Sequence, residues 1–112
     1  MRIFVTGASG WIGSATVAEL VAHGHDVVGL ARSDAGAATI EGLGAPVVRG
    51  ELADLDVLGR AAAASEAVIH LGYVHDFSRM DDAARTDAAA IDALGSALEG
   101  TGHPLLVASG TL

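Results

Sequence analysis

Residues 6–13 read Thr-Gly-Ala-Ser-Gly-Trp-Ile-Gly and follow directly on the apolar run Ile3-Phe4-Val5. Three glycines spaced by two residues, between a strand-like start and a helix-like continuation, fit very few architectures. A first glycine permits a sharp turn out of a strand. A second removes a Cβ from the path of an approaching ligand. A third lets the following helix pack close to the sheet. Gly7, Gly10 and Gly13 stand in those three places. The turn therefore predicts an α/β chain with its ligand crevice at the carboxyl end of the first strand.

The rest of the chain carries the same alternation. Residues 2–6 form the first predicted strand, and residues 11 to about 23 the first helix, with Gly24 placed to end it. Residues 26–31 are a second strand rich in Val and Leu. Ser33 or Asp34 can cap a helix reaching about residue 43, which Gly44-Ala45-Pro46 interrupts. A short third strand at 46–49 precedes a helix from Asp54, as cap, to about residue 64. A fourth strand at 67–71 leads to a long helix from Asp81 or Asp82 to about residue 100. In that helix Ala84, Ala88, Ile91, Gly95 and Leu98 read as the buried stripe. Residues 105–108 are the fifth strand, expected to lie at an exposed apolar edge.

Strands separated by helices pair in parallel through right-handed crossovers. Their near-continuous apolar runs imply helices on both faces. The predicted fold is thus a doubly wound parallel sheet of five strands in the order 3-2-1-4-5, one domain over residues 1–112, with the crevice outside strands one and four. Aromatic residues are only 4% of the chain, so Val, Leu, Ile and Ala must build the core.

Charge and composition narrow the ligand. The net charge is −8, and the six arginines are scattered, so no basic patch for nucleic acid is present. No apolar run approaches the ~20 residues that span a bilayer. With no cysteine and no signal-peptide pattern, a cytoplasmic location is expected. The five histidines lack zinc-site spacing, and no metal is expected; His23 is better placed to complement a helix C-terminus.

A dinucleotide fits the turn. The N–H groups at the helix start, around Trp11 and Ile12, would face its pyrophosphate, and Ser9 would add a hydrogen bond. The end of the second strand selects the cofactor. An NAD site places an acid there for the ribose hydroxyls, but this chain has Ala31, Arg32 and Ser33. Arg32 can clamp a 2′-phosphate and Ser33 can bond to it, which favours NADP, with NAD as the alternative.

These motifs together resemble the N-terminal part of an extended short-chain dehydrogenase/reductase, of the NAD-dependent epimerase/dehydratase family, whose fold is of the Rossmann type. The opening Thr6-Gly7-Ala8-Ser9-Gly10-Trp11-Ile12-Gly13 matches the family's T-G-x-x-G-x-x-G start. Gly24-His25-Asp26-Val27-Val28 matches the lead-in to its second strand. Arg49-Gly50-Glu51-Leu52-Ala53-Asp54 is similar to its G-D-L-x-D segment, and the resemblance implies that Glu51 and Leu52 lie at the adenine, with Glu51 longer than the usual acid. Val68-Ile69-His70-Leu71-Gly72 resembles its V-I-H-x-A segment, implying that the backbone of His70, Leu71 and Gly72 lines the cofactor.

The departures are as informative. The family's long helix often carries an Asn near its start, where this chain has Asp87. Its fifth strand usually ends in a Ser/Thr pair; here Ser109 and Thr111 are the candidate catalytic hydroxyls, with Gly110 between them. The family's base is a Tyr whose proton affinity a nearby Lys lowers. This chain has no lysine, and Tyr73, its one tyrosine, is followed four residues on by Phe77. The resemblance therefore implies an N-terminal fragment of a longer enzyme, one that alone binds cofactor weakly and catalyses nothing. Three readings stay open. One is an NADP-dependent oxidoreductase acting on a small-molecule carbonyl, aldehyde or alcohol. Another is a nucleotide-sugar epimerase or dehydratase using NAD. The third is a non-catalytic dinucleotide-binding regulatory module. His75-Asp76 reads as part of a substrate-lining loop. The resemblance also implies a homodimer through the helix at 81–100.

Overall fold

The computed structural model describes residues 1–71 and 80–107, and the side chains of 80–83 are not described. Nine elements alternate along the chain: β1 (Arg2–Thr6), α1 (Trp11–Ala22), β2 (Asp26–Ala31), α2 (Asp34–Gly42), β3 (Val47–Arg49), α3 (Leu55–Ala63), β4 (Ala67–His70), α4 (Met80–Leu98) and β5 (Leu105–Val107). The strands form one sheet in the order β3-β2-β1-β4-β5, and every pairing is parallel. This is the predicted topology. Its switch point lies between β1 and β4, where Thr6 pairs in register with His70.

Side chains of a strand alternate between the two faces of the sheet, and here the alternation builds two separate cores. Ile3, Val5, Val27, Ala31 and Ala67 pack with Val17 of α1 and with Ala37 and Ile40 of α2. Phe4, Leu30 and Val68 pack on the other side with Leu58 and Ala62 of α3 and with Ala90, Leu94 and Leu98 of α4. Aliphatic residues and Ala dominate both layers, with Phe4 fully buried as the aromatic exception. The same alternation places Thr6 and His70 on the face that α4 covers. Gly29 faces α2, where a Cβ would lie 2.8 Å from an Ile40 methyl, so α2 can seat only over a bare backbone.

Helix ends follow local chemistry. Ser33 is the N-cap of α2, its Oγ accepting from the Gly36 N–H at 3.0 Å. His23 caps α1, its Nδ1 lying 2.9 Å from the Glu19 carbonyl oxygen, and Gly24 at φ +82° turns the chain away. Three expectations need correction. Asp54 occupies the N-cap position of α3, but its carboxylate turns back to accept from the Glu51 N–H at 2.8 Å, so it stabilises the preceding loop instead of the helix. The fourth strand ends at His70, one residue earlier, and the Leu71 N–H closes the β1–β4 ladder on the Thr6 carbonyl. The buried stripe of α4 is Ala90-Leu94-Leu98, while Ala84 and Ala88 are exposed and Ile91 and Gly95 half-buried. The stripe differs because Ala is equally compatible with either side of a helix, and only docking on α3 and the sheet decides which side faces in. No helix among the described residues is long and apolar enough to cross a membrane.

At one edge of the sheet, β5 leaves Leu106 57% and Val107 45% exposed, as the sequence predicts. Leu106→Lys is expected to suppress concentration-dependent light scattering while changing unfolding stability by no more than about 0.5 kcal/mol, since it removes few packed contacts. Gly13→Ala is expected to behave oppositely. An added Cβ would sit 1.7 Å from the Gly7 carbonyl oxygen, so urea titration should show a loss of about 3 kcal/mol or more.

Candidate dinucleotide site

The glycine turn is built as its spacing predicts. Gly7 has φ +68°, a left-handed conformation open to glycine at no steric cost. Gly10 then closes the turn, its N–H donating to the Gly7 carbonyl at 3.1 Å. Gly10 is also the N-cap of α1. It offers no side-chain cap, and the first turn contains no acid. The N–H groups of α1's first turn therefore have no side chain competing with an incoming anion.

Beside this turn the carboxyl ends of β1, β2 and β4 open onto a crevice of ≈ 1070 Å³. Among the residues singled out in the sequence, Gly7, Ser9, Gly10, Ala31, Arg32, Ser33, Glu51, Leu52 and Leu71 line it. Gly13 lies behind the turn, against Gly7. Trp11 and Ile12, 93% and 73% exposed, line a separate shallow hollow with Ala15, Thr16 and Leu20. Neither residue lines the crevice itself. Gly72, Tyr73, His75, Asp76, Ser109 and Thr111 lie outside the described residues.

Electrostatics at the β2 end favour an anion. Arg32 is exposed in the crevice, and among the described residues no carboxylate pairs with its guanidinium. Arg49, at the end of β3, donates to the Asp34 carboxylate at 2.9 Å and to the Arg32 carbonyl at 3.4 Å. These groups are exposed, so the pair adds little stability. Its effect is geometric: it ties the segment that carries Arg32 to the neighbouring strand. Ser33 spends an acceptor lone pair on the helix cap, which leaves its hydroxyl proton available for a ligand oxygen.

The sequence reading missed several lining positions, including Gly36, Thr39, Gly50, Ala53 and Thr86. Gly36 could have been found. It opens α2 opposite Ser9, where a Cβ would come within 3.2 Å of both the Ser9 and Ser33 hydroxyls. Thr86 could not, because it reaches the crevice only through the docking of α4. His70 was expected to contribute its backbone, and its side chain turns out to be 1% exposed and hydrogen-bonded on both ring nitrogens. Nδ1 lies 2.7 Å from the Thr6 hydroxyl, and Nε2 lies 2.7 Å from the Asp87 carboxylate. Among the described residues no three His, Asp or Glu side chains converge as a metal site.

Known proteins share this fold. The family model "NAD dependent epimerase/dehydratase family" matches residues 3–111. An uncharacterized protein of Saccharomyces cerevisiae is 47% identical over 114 residues, a match covering 100% of this chain and 38% of that protein. A 2-alkyl-3-oxoalkanoate reductase of Stenotrophomonas maltophilia is 39% identical over 72 residues, covering 64% of this chain and 21% of that enzyme. Among solved structures, a UDP-glucose-4-epimerase from Stenotrophomonas maltophila with bound NAD superimposes with a TM-score of 0.80 at 24% identity, covering 97% of this chain and 37% of that one. The chain thus spans well under half the length of each of these three proteins. With the glycine turn, the 3-2-1-4-5 sheet and the family model coinciding over nearly every residue, the chain belongs to the NAD-dependent epimerase/dehydratase family.

Proposed function

We propose that this chain is the NADP-binding portion of a short-chain dehydrogenase/reductase-like oxidoreductase that acts on a small carbonyl, aldehyde or alcohol. The observation that carries the reading is Arg32. It stands in the crevice with no carboxylate partner among the described residues, next to Ala31, where an NAD site would hold an acid. A 2′-phosphate there would meet the Arg32 guanidinium and the Ser33 hydroxyl. The ribose hydroxyls of NAD would find no carboxylate among residues 31–33 to accept from them. The likeness to a ketone-handling reductase supports the oxidoreductase class.

Roles divide along the fold. The N–H groups at the start of α1 and the Ser9 hydroxyl bind the pyrophosphate, and Glu51 and Leu52 flank the adenine. Ser109 or Thr111 would donate a hydrogen bond to the substrate oxygen. A bound nicotinamide cofactor supplies or accepts the hydride. This sequence has no lysine, so the Tyr/Lys pair that handles the proton in such enzymes is not among its residues. For α4 we infer a second copy of the chain as partner, supported by the exposed Ala84 and Ala88. Sedimentation should then show a dimer that Ala88→Arg converts to monomer.

Fluorescence titration with NADPH and NADH tests the cofactor assignment. The chain is expected to prefer NADPH, and Arg32→Ala to lose about tenfold in NADPH affinity, the equivalent of one charge-assisted contact, with NADH unchanged. A preference for NADH in the unaltered chain would instead favour the NAD-using epimerase or dehydratase reading.

A further inference from the structure

Two polar side chains interrupt the otherwise apolar face between the sheet and α4. Thr6 is 0% and His70 1% exposed, in the layer that also holds Phe4, Val68 and Leu94. Polar groups buried in such a layer are costly unless each finds a partner. Here every buried side-chain polar atom among the described residues has one.

The directions of the bonds follow from the chemistry of the groups. An ionised carboxylate only accepts. Asp87 Oδ1 lies 2.7 Å from His70 Nε2, so the proton of that contact sits on Nε2. Nδ1 of the neutral ring then carries a lone pair and accepts from the Thr6 hydroxyl at 2.7 Å. The Thr6 oxygen in turn accepts the Leu71 N–H at 3.1 Å, which also reaches the Thr6 carbonyl at 3.2 Å. One continuous relay therefore runs from the Leu71 amide through Thr6 and His70 to Asp87. Both of its ends border the crevice: Leu71 lines it directly, and Thr86, the neighbour of Asp87, lines it from α4.

We propose that His70 and Asp87 are positioning residues of the dinucleotide site. Asp87 holds the buried imidazole in the Nε2–H tautomer, and His70, through the Thr6 hydroxyl, sets the Leu71 backbone while tying Thr86 to the same frame. Neither side chain needs to touch the cofactor. The inference rests on the dinucleotide reading above, but the relay itself exists without ligand and is measured without it.

Two-bond ¹H–¹⁵N spectra of the ligand-free chain in mildly alkaline buffer read the tautomer directly. The His70 ring should show its proton on Nε2 and a bare Nδ1. Asp87→Ala should mix the tautomers, shift the Leu71 amide resonance and weaken dinucleotide binding about tenfold, a loss of one buried hydrogen-bonded contact. Asp87→Asn, whose amide oxygen can still accept from Nε2–H, should recover most of all three. If Asp87→Ala does not fold, Thr6→Val, close in volume, should still displace the Leu71 amide and weaken binding by a similar factor. A proton on Nδ1 in the unaltered chain would overturn the relay. So would folded Asp87→Ala or Thr6→Val protein with an unmoved Leu71 amide and unchanged affinity. Failure of the unaltered chain to bind either dinucleotide would overturn the positioning role and the crevice assignment together, whereas the tautomer and amide readings judge the relay alone.

Discussion

Gly13 touches the Gly7 carbonyl so closely that no Cβ fits between them, and most of the molecule follows from that contact. It brings the first turn of α1 against the end of β1. The helix start then sits at the strand's carboxyl end with its N–H groups directed outward. A larger residue at position 13 would push the helix away, the turn would open, and the crevice would lose one wall. The same closeness lets Val17 reach the sheet, where it is fully buried with Ile3 and Val5. The placement of the helix start and the packing of this half of the protein therefore share one steric requirement.

The second organising constraint is the parallel register of β1 and β4. Thr6 and His70 are paired across the two strands, on the face that α4 covers. Two parallel strands in register present side chains of equal phase to the same layer. A hydroxyl and an imidazole thus meet where an aliphatic pair would otherwise sit. Burying them adds little hydrophobic stabilisation. It adds direction: a helix held by aliphatic contacts can shift along a sheet, whereas one held by a carboxylate–imidazole bond has a fixed point. That point lies one residue from Thr86, at the crevice wall.

Both signs of charge meet around the site, with Arg32 and Glu51 lining the same crevice. The protein carries a net charge of −8, yet Arg32 and Arg49 both stand at the ends of the adjacent strands β2 and β3. Arg49 is engaged by Asp34 and by the Arg32 carbonyl, while Arg32 lines the cavity with no carboxylate partner among the described residues. An acidic surface repels anionic ligands at long range. An anion in the cavity would therefore depend on local groups such as the Arg32 guanidinium, whose field is screened beyond roughly 10 Å at 0.1 M salt.

Much of this was legible in the chain of letters. The glycine spacing, the strand and helix periods, and the absence of an acid at residues 31–33 are local properties, and local properties survive without knowledge of the fold. They determined the sheet order and the place of the crevice. Tertiary structure alone decided what depends on docking. The inward side of α4 is Ala90-Leu94-Leu98 and not the Ala84–Leu98 stripe, because alanine is compatible with both faces and α3 made the choice. Asp54 bonds the Glu51 amide instead of the helix it begins, because loop closure brought that amide nearer. His70 and Asp87 are 17 residues apart, and nothing in their spacing announces a bond. Strand alternation put His70 on the α4 face, but only the height at which α4 settled brought a carboxylate within reach of it.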